Sequence, residues 1–382
     1  MERYDVVIVG AGPAGSSTAL RLARGGARVL LADRERFPRD KPCGGGLTGR
    51  ALRWAPCSVE PVVEHAVDRF WIRLRYGRSF TRRHPTPLVL MTQRRRLDLY
   101  LAEQAAGAGA VFRDGARVTD VEPGAGHVAV RVAGEAVRTD VLVGADGANG
   151  IVARSTGVGA PIVNGVALEG NVSYDDLEAA RVERTAVVEL GVVPGGYGWV
   201  FPKGDHANIG VGGWGTEGPR LREHVARLAR AHGLEMGVVT DLRGHRLPMR
   251  RPGSVPGRGR VLLVGDAAGL VDPLSGDGMY EAFVSSALAA EAILDNDLEA
   301  YAGRLAALLD RHANASWAAK RALERSPWAC FWGARSPGVF GVVAGLLDGN
   351  VKHPNEARGL ARPPLRALAR LAGRGPQGEP TS

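Results

Sequence analysis

The 382-residue sequence predicts an α/β protein. A parallel-sheet domain is assembled from separated pieces of chain, a mixed-sheet domain is inserted between them, and a helical region follows. Three observations predict this. Short β-branched apolar runs pass straight into glycine turns at three distant places: GAGPAG at 10–15, GADG at 144–147 and GDAAG at 265–269. A strand-rich block, 161–247, stands before the third turn. Beyond Asp297 the pattern is mostly helical.

Taken in order, residues 4–9 are an apolar β-branched run, read as a buried parallel strand. GAGPAG follows, then SSTALRLARGGA, a helix ending at Gly25 and Gly26, then ARVLLAD, a second strand closing on Asp33. Strand, glycine turn, helix and strand make a Rossmann-like βαβ unit. Gly10 permits the tight turn, Gly12 lets backbone approach a pyrophosphate, and Gly15 lets the helix pack on the strand. The helix start, with Pro13 and Ala14, faces the phosphates. Asp33 is expected to accept bonds from a ribose, with Arg34 beside it. This context makes the glycine pattern a dinucleotide fingerprint and not a chance match.

RERFPRDKPCGGGLTGRAL is a loop with three consecutive glycines leading to a helix. Residues 67–90 read as strands and turns, and TQRRRLDLYLAEQAAGAGA returns to a helix. VLVGADGANGIVAR is again a strand entering a glycine turn. The block 161–247 is strand-dominated, with a helix near 219–232. RVLLVGDAAGLVDPLSGDGMYEAFVSSALAAEAIL is a strand, a long loop and a long helix. The expected nucleotide domain is therefore discontinuous, 1–66, 91–160 and 248–297. The inserted domain is 67–90 and 161–247, the helical region 298–372, and 373–382 a disordered tail. No internal repeat is found.

At 45% hydrophobic, the chain can bury a large core. Its net charge is +9, and nearly all of its positive charge is arginine. Compositional bias explains that as readily as attraction to a membrane surface or a phosphorylated substrate. No interleaved basic and aromatic motif points to nucleic acid. Three cysteines, Cys43, Cys57 and Cys330, argue against a disulfide framework and for a reducing compartment. No cysteine or histidine spacing suggests a metal. The first residues lack a signal-peptide layout, and no apolar run reaches the ~18–20 residues that span a bilayer. The expected location is the cytoplasm, with peripheral contact at a membrane as a further expectation.

GAGPAG, GADG and GDAAGLVDP in this order resemble the aromatic-hydroxylase-like FAD flavoproteins. The resemblance implies FAD as cofactor, with Asp146 and Gly147 near its phosphates and Asp266, followed by Ala267, on its ribityl hydroxyls. It implies that the loop through Pro273, Gly276 and Gly278 leads to a helix starting near Met279, whose positive end favours a reduced, anionic flavin. More narrowly, FPRDKPCGGGLT at 37–48, Arg94 and Asp98 of RRRLD, YGWVFP at 197–202 and PLSGDGMYEAF are similar to the geranylgeranyl reductase family, over about residues 4–295. That family saturates isoprenoid chains of chlorophyll precursors, archaeal lipids and menaquinone. The resemblance implies an FAD-dependent reductase of isolated C=C bonds in a polyprenyl lipid, quinone or diphosphate. No second dinucleotide fingerprint is visible, so NADPH, NADH and ferredoxin all stand as electron donors. No oligomeric state is implied.

The stretch PGGYGWVFPKGDHANIGVG carries the candidate substrate wall. Side chains at i, i+2 and i+4 of a strand share a face, so Tyr197, Trp199 and Phe201 line one surface. Gly210 and Gly212 of the return strand are expected to leave space before them. The ordinary alternative is a packed sheet face. Hydride addition to an isolated alkene leaves a carbanion, so a proton donor is needed as well. An apolar slot would keep water out. The candidate catalytic residues are Cys43, where the family has a cysteine near the flavin, Tyr197, whose hydroxyl could orient water or give a proton, and Trp199. Gly44 and Arg94 are placed with the cofactor, Arg94 on the flavin or its phosphates.

WACFWGARSPGVFGVVAGLL at 328–347 is apolar but broken at Arg335, Ser336 and Pro337, and basic residues Lys352, Arg358, Arg362, Arg366 and Arg370 follow. Both a membrane-facing surface and a helical lid fit this segment. Two further functional readings stand beside the reductase. One is a flavin monooxygenase, less so a halogenase, since halogenases carry W-x-W-x-I-P where this chain has Tyr197 and Phe201. The other is a non-catalytic basic module for anionic lipid or a partner.

Overall fold

A computed structural model describes residues 1–159, 162–177, 182–351, 353, 356 and 362–373. The expected tail beyond Gly373, and Lys352 and Arg358, lie outside the described residues.

The first sheet is built on a parallel core of strands Val261–Leu263, Glu135–Gly144, Glu2–Val9, Val29–Ala32 and Val111–Arg113, in that spatial order. Gly257–Arg258 extends it antiparallel, and Val118–Pro123 with Val128–Val132 forms an antiparallel extension. The three glycine turns thus leave the carboxyl ends of adjacent parallel strands, although their motifs are more than a hundred residues apart in the chain. That edge is where open parallel sheets bind ligands. Helices Pro13–Arg24, Arg94–Gly107 and Met279–Leu294 pack together beside it.

The second sheet has seven strands, ordered Thr240–Met249, Val163–Ser173, His206–Trp214, Tyr197–Pro202, Thr185–Leu190, Arg69–Leu74 and Arg78–Arg83. It is antiparallel except where Thr185–Leu190 runs parallel to Arg69–Leu74. Its outer face buries Val172, Val187, Val200, Ile209 and Val211 under Val225 and Leu228 of the helix Leu221–Ala231. Because side chains alternate, burying Val200 on that face turns Trp199 and Phe201 to the other. The expected helix near 219–232 begins at Leu221, after a 3₁₀ turn over Gly215–Arg220.

A small sheet, Gly46–Thr48, Val89–Met91 and His65–Val67, lies between the two large ones in the chain's path. The helical region resolves into Ala300–Arg325, Pro327–Arg335, Pro337–Asp348 and Arg362–Ala372. Proline at the first position of the second and third of these helices starts each afresh. The axes of Pro327–Arg335 and Pro337–Asp348 meet at 91°.

Candidate active site

A cavity of about 1360 Å³ joins the glycine turns, the inner face of the second sheet and the C-terminal helices. Ligand pockets typically hold ~300–1,000 Å³, so this one has room for a cofactor and a second molecule.

At Gly10 and Gly15 the backbone is packed past the point where a side chain fits. Gly10 has φ +102°, and a Cβ there would stand 2.4 Å from the Ala145 carbonyl oxygen. A Cβ at Gly15 would stand 1.8 Å from the Gly10 carbonyl oxygen, so Gly15 serves helix packing and does not line the cavity. Gly12 caps the helix Pro13–Arg24 without any side-chain cap bond. The atoms nearest its open side are guanidinium nitrogens of Arg39 and Arg94, 3.5 and 3.7 Å from a Cβ position there.

Those two cations are braced by Asp98. Arg94 donates from Nε and Nη2 to its two oxygens at 2.7 and 2.8 Å, and Arg39 Nη1 lies 2.9 Å from Oδ2. Burial works against the Arg94 charge, and Asp98 overrides it, so Arg94 stays protonated. A helix N-terminus and two guanidinium groups form a donor set that fits a dinucleotide pyrophosphate. Asp33 accepts from the backbone N–H of Ala11 at 2.7 Å and of Glu35 at 2.9 Å, so its carboxylate also pins the turn. Arg34 stands exposed on the rim.

Asp146 accepts from Val152 N at 3.0 Å in the first turn of the short helix Ile151–Thr156, while Gly147 lies on the cavity wall. Asp266 pairs with Lys41 Nζ at 2.8 Å and faces His245 Nε2 at 3.4 Å. Burial raises its pKa, but Lys41 and His245 outweigh that and hold it well below the usual carboxylate range. Ala267 departs from expectation: in the turn Gly265–Ala268 it is buried off the cavity wall, while Asp266 reaches the cavity.

Pro273, Gly276, Gly278 and Met279 all line the cavity. Asp272 holds their loop, accepting from Leu274 N at 3.1 Å, Ser275 N at 2.8 Å and Ser275 Oγ at 2.7 Å. Asp277 accepts from Met279 N at 2.8 Å at the start of the helix Met279–Leu294. Behind the loop, half-buried Arg50 lies 3.6 Å from Asp277 and 2.7 Å from His312 Nε2. Glu281, 3% exposed, also belongs to this cluster, and its Oε2 has no hydrogen-bond partner. Burial, then the neighbouring Asp277, pushes the Glu281 carboxyl far above its ordinary pKa.

The aromatic strand faces the cavity, with successive ring centroids 6.0 and 6.2 Å apart. Two expectations are corrected here. Tyr197 donates its hydroxyl proton to the Ser275 carbonyl at 2.5 Å, so it ties the strand to the loop and is no free proton donor. Burial raises its pKa further. Gly210 does not open the cavity. It pairs in register with Trp199, whose indole covers it so closely that a Cβ would stand 2.3 Å from Cζ2. Trp199 is anchored there by Nε1 donating to Asn208 Oδ1 at 2.8 Å. Gly212 does line the wall.

Cys43 also lines the cavity, and its Sγ accepts from Gly45 N at 3.4 Å. A Cβ on Gly44 would lie 3.1 Å from Phe201, so this turn rests on the aromatic wall. Glu169 accepts from Cys43 N at 2.5 Å. Lys203 donates to Cys43 O at 3.3 Å and Thr92 O at 2.9 Å. Burial drives Lys203 down and Glu169 up, each toward its neutral form. Sequence reading missed Arg39, Lys41, Glu169, Lys203, Asp277 and Glu281. The signal was present for Glu281, an acid in the first turn of a largely apolar helix.

Farther on, the wall is apolar. Ile72, Val188 and Leu190 of the sheet share the cavity with Val339, Phe340 and Leu346 of the helix Pro337–Asp348.

This geometry defines a flavoprotein of the FAD-dependent oxidoreductase class, and residues 3–293 match the FAD binding domain family. A menaquinone reductase of Mycolicibacterium smegmatis is 33% identical over 333 residues, 81% of this chain and 81% of the relative. A geranylgeranyl diphosphate reductase of Rhodobacter capsulatus is 33% identical over 304 residues, 76% of this chain and 75% of the relative. The crystal structure of a geranylgeranyl bacteriochlorophyll reductase-like protein from Thermoplasma acidophilum superposes with a TM-score of 0.75 at 25% identity, covering 97% and 96% of the two chains. The chain belongs to the geranylgeranyl reductase family of FAD-dependent enzymes.

Proposed function

We propose that this enzyme saturates isolated C=C bonds of a polyprenyl chain carried by a lipid, quinone or diphosphate. The observation that carries this reading is continuity: one cavity runs from a pyrophosphate cradle, past an aromatic wall, into a slot of apolar side chains. Such a slot binds an extended hydrocarbon by burial alone and excludes water. A phenolic substrate for hydroxylation would need polar partners to orient it, and Ile72, Val188, Leu190, Val339, Phe340 and Leu346 supply none there.

Bound FAD supplies the hydride. Arg94 and Arg39, braced by Asp98, would hold its pyrophosphate at the helix Pro13–Arg24, with Asp266 and Lys41 on its polar chain. The protein's other task is the proton. Tyr197 is spent on Ser275, and the Cys43 thiol, on the cavity wall beside the aromatic strand, is assigned the proton. Glu169 and Lys203 fix the Cys43 backbone from both sides and so aim the thiol.

The test is anaerobic. The flavin is reduced, a geranylgeranyl lipid or menaquinone is added, and flavin spectrum and substrate mass are followed together. Flavin reoxidation with a gain of two hydrogens per bond is the expected result. A flavin that stays reduced until oxygen is admitted, and is then consumed rapidly, would overturn the reductase reading in favour of a monooxygenase.

A further inference from the structure

The helix Pro327–Arg335 has two unlike faces. Cys330 and Ala334 line the cavity. Trp328 and Trp332, one turn apart, are 44% and 40% exposed with ring centroids 6.0 Å apart. Each carries an arginine: Arg78 Cζ lies 5.2 Å from the Trp328 ring centroid, and Arg335 Cζ lies 5.0 Å from that of Trp332. On the adjoining helix Pro337–Asp348, Val343 lines the cavity and is also 41% exposed, so the apolar slot reaches the surface there.

The surroundings are basic. The edge strand Arg78–Arg83 is joined to this helix by Phe80 against Phe331, centroids 5.0 Å apart, and by Arg82 donating to the Arg335 carbonyl. The helix Arg362–Ala372 packs against Pro327–Arg335 and carries exposed Arg362, Arg366 and Arg370. Among the described residues of these four elements the one acid is Asp348, and it is paired with Arg53. Half-exposed tryptophans prefer the boundary between hydrocarbon and water, and arginines beside them suit anionic headgroups. An exposed apolar patch with this rim marks an interaction surface. Among the described residues no single helix is long and apolar enough to cross a membrane.

We propose that this face docks on the surface of an anionic lipid bilayer, with Trp328 and Trp332 at headgroup depth and the Val343 edge as the mouth of the slot. A polyprenyl chain could then pass from the bilayer to the aromatic wall without crossing water. The role of the mouth rests on the reductase reading; the docking does not, because it is measured without substrate.

The test uses the FAD-loaded full chain and sedimentation with vesicles of phosphatidylglycerol and phosphatidylcholine. Binding is expected at low salt, at least tenfold weaker on pure phosphatidylcholine vesicles and weaker again in high salt. The pair Trp328→Ser/Trp332→Ser, and separately the charge reversal Arg78→Glu/Arg335→Glu, should each cut binding about tenfold or more while bound flavin stays unchanged. Two results would overturn the proposal. One is vesicle binding that is absent, or equal in both variants and wild type. The other is a concentration-dependent dimer in analytical ultracentrifugation that both variants abolish, which would assign the face to a second copy.

Discussion

At one end of the cavity the wall is backbone and charge: Gly10, Gly12, Gly147 and Gly278, with Arg39, Arg94 and Asp266. At the other it is aliphatic side chain: Ile72, Val188, Leu190, Val339 and Leu346. At Gly10 the first end is built to a tolerance smaller than one methyl group, since a Cβ there would overlap the Ala145 carbonyl. The second end is held by shape and burial, which tolerate exchange of similar volumes. A charged cofactor needs fixed donors, and a hydrocarbon needs only a dry surface. The contrast makes the first end a site for one ligand chemistry. The second can exchange apolar side chains of similar volume and keep its character.

The sharpest way to break this comparison is Gly10→Ala. The methyl meets backbone, and φ +102° is strained for any other residue. Loss of nearly all bound flavin is expected, read as the flavin-to-protein ratio after purification. A variant that keeps full flavin would show the cradle to be as forgiving as the far end.

Cys43→Ala stands between the two ends and should lower alkene saturation ~10²–10⁴-fold, the usual worth of a positioned acid. Flavin content should be unchanged. Full turnover in this variant would remove the thiol from the chemistry.

Filling the far end should do less. Leu346→Trp is expected to cost about tenfold in kcat/KM for a long polyprenyl substrate and little for a short one, with flavin content intact. An equal loss for both lengths would mean that the slot does not hold the chain.

The smallest effect concerns Glu281. Its carboxyl is held protonated by burial, so above the ordinary value of 4.5 the native state keeps a proton that the unfolded chain releases. Stability therefore falls as pH rises from about that value toward the raised native pKa. Glu281→Gln cannot ionise. It should match wild type near pH 4 and exceed it by on the order of a few °C in Tm at pH 8. A gain that is the same at both pH values would show that ionisation is not its source.

Much of the cradle end was legible in sequence because its elements are local. A strand, a glycine turn and a helix fall within about twenty residues, and the glycines state where backbone must be bare. The shared face of Tyr197, Trp199 and Phe201 was legible too, because strand alternation is a local rule. Arg39, Lys41 and Glu169 were not. Lys41 meets Asp266 across 225 positions of chain, and Glu169 meets Cys43 across 126. Gly210 shows the same limit: a glycine opposite aromatics reads as empty space until register places the Trp199 indole on it.

By itself, then, the sequence determined where the backbone turns, which strand face is aromatic and where a pyrophosphate can approach, since each depends on the conformations open to a few consecutive residues. The tertiary structure alone decided that Tyr197 is spent on Ser275, that Arg39 joins Arg94 on Asp98, and that a bent helix pair closes an apolar slot over the sheet. Those outcomes depend on which distant side chains come within about 3 Å of one another, and neighbours in sequence carry no record of that distance.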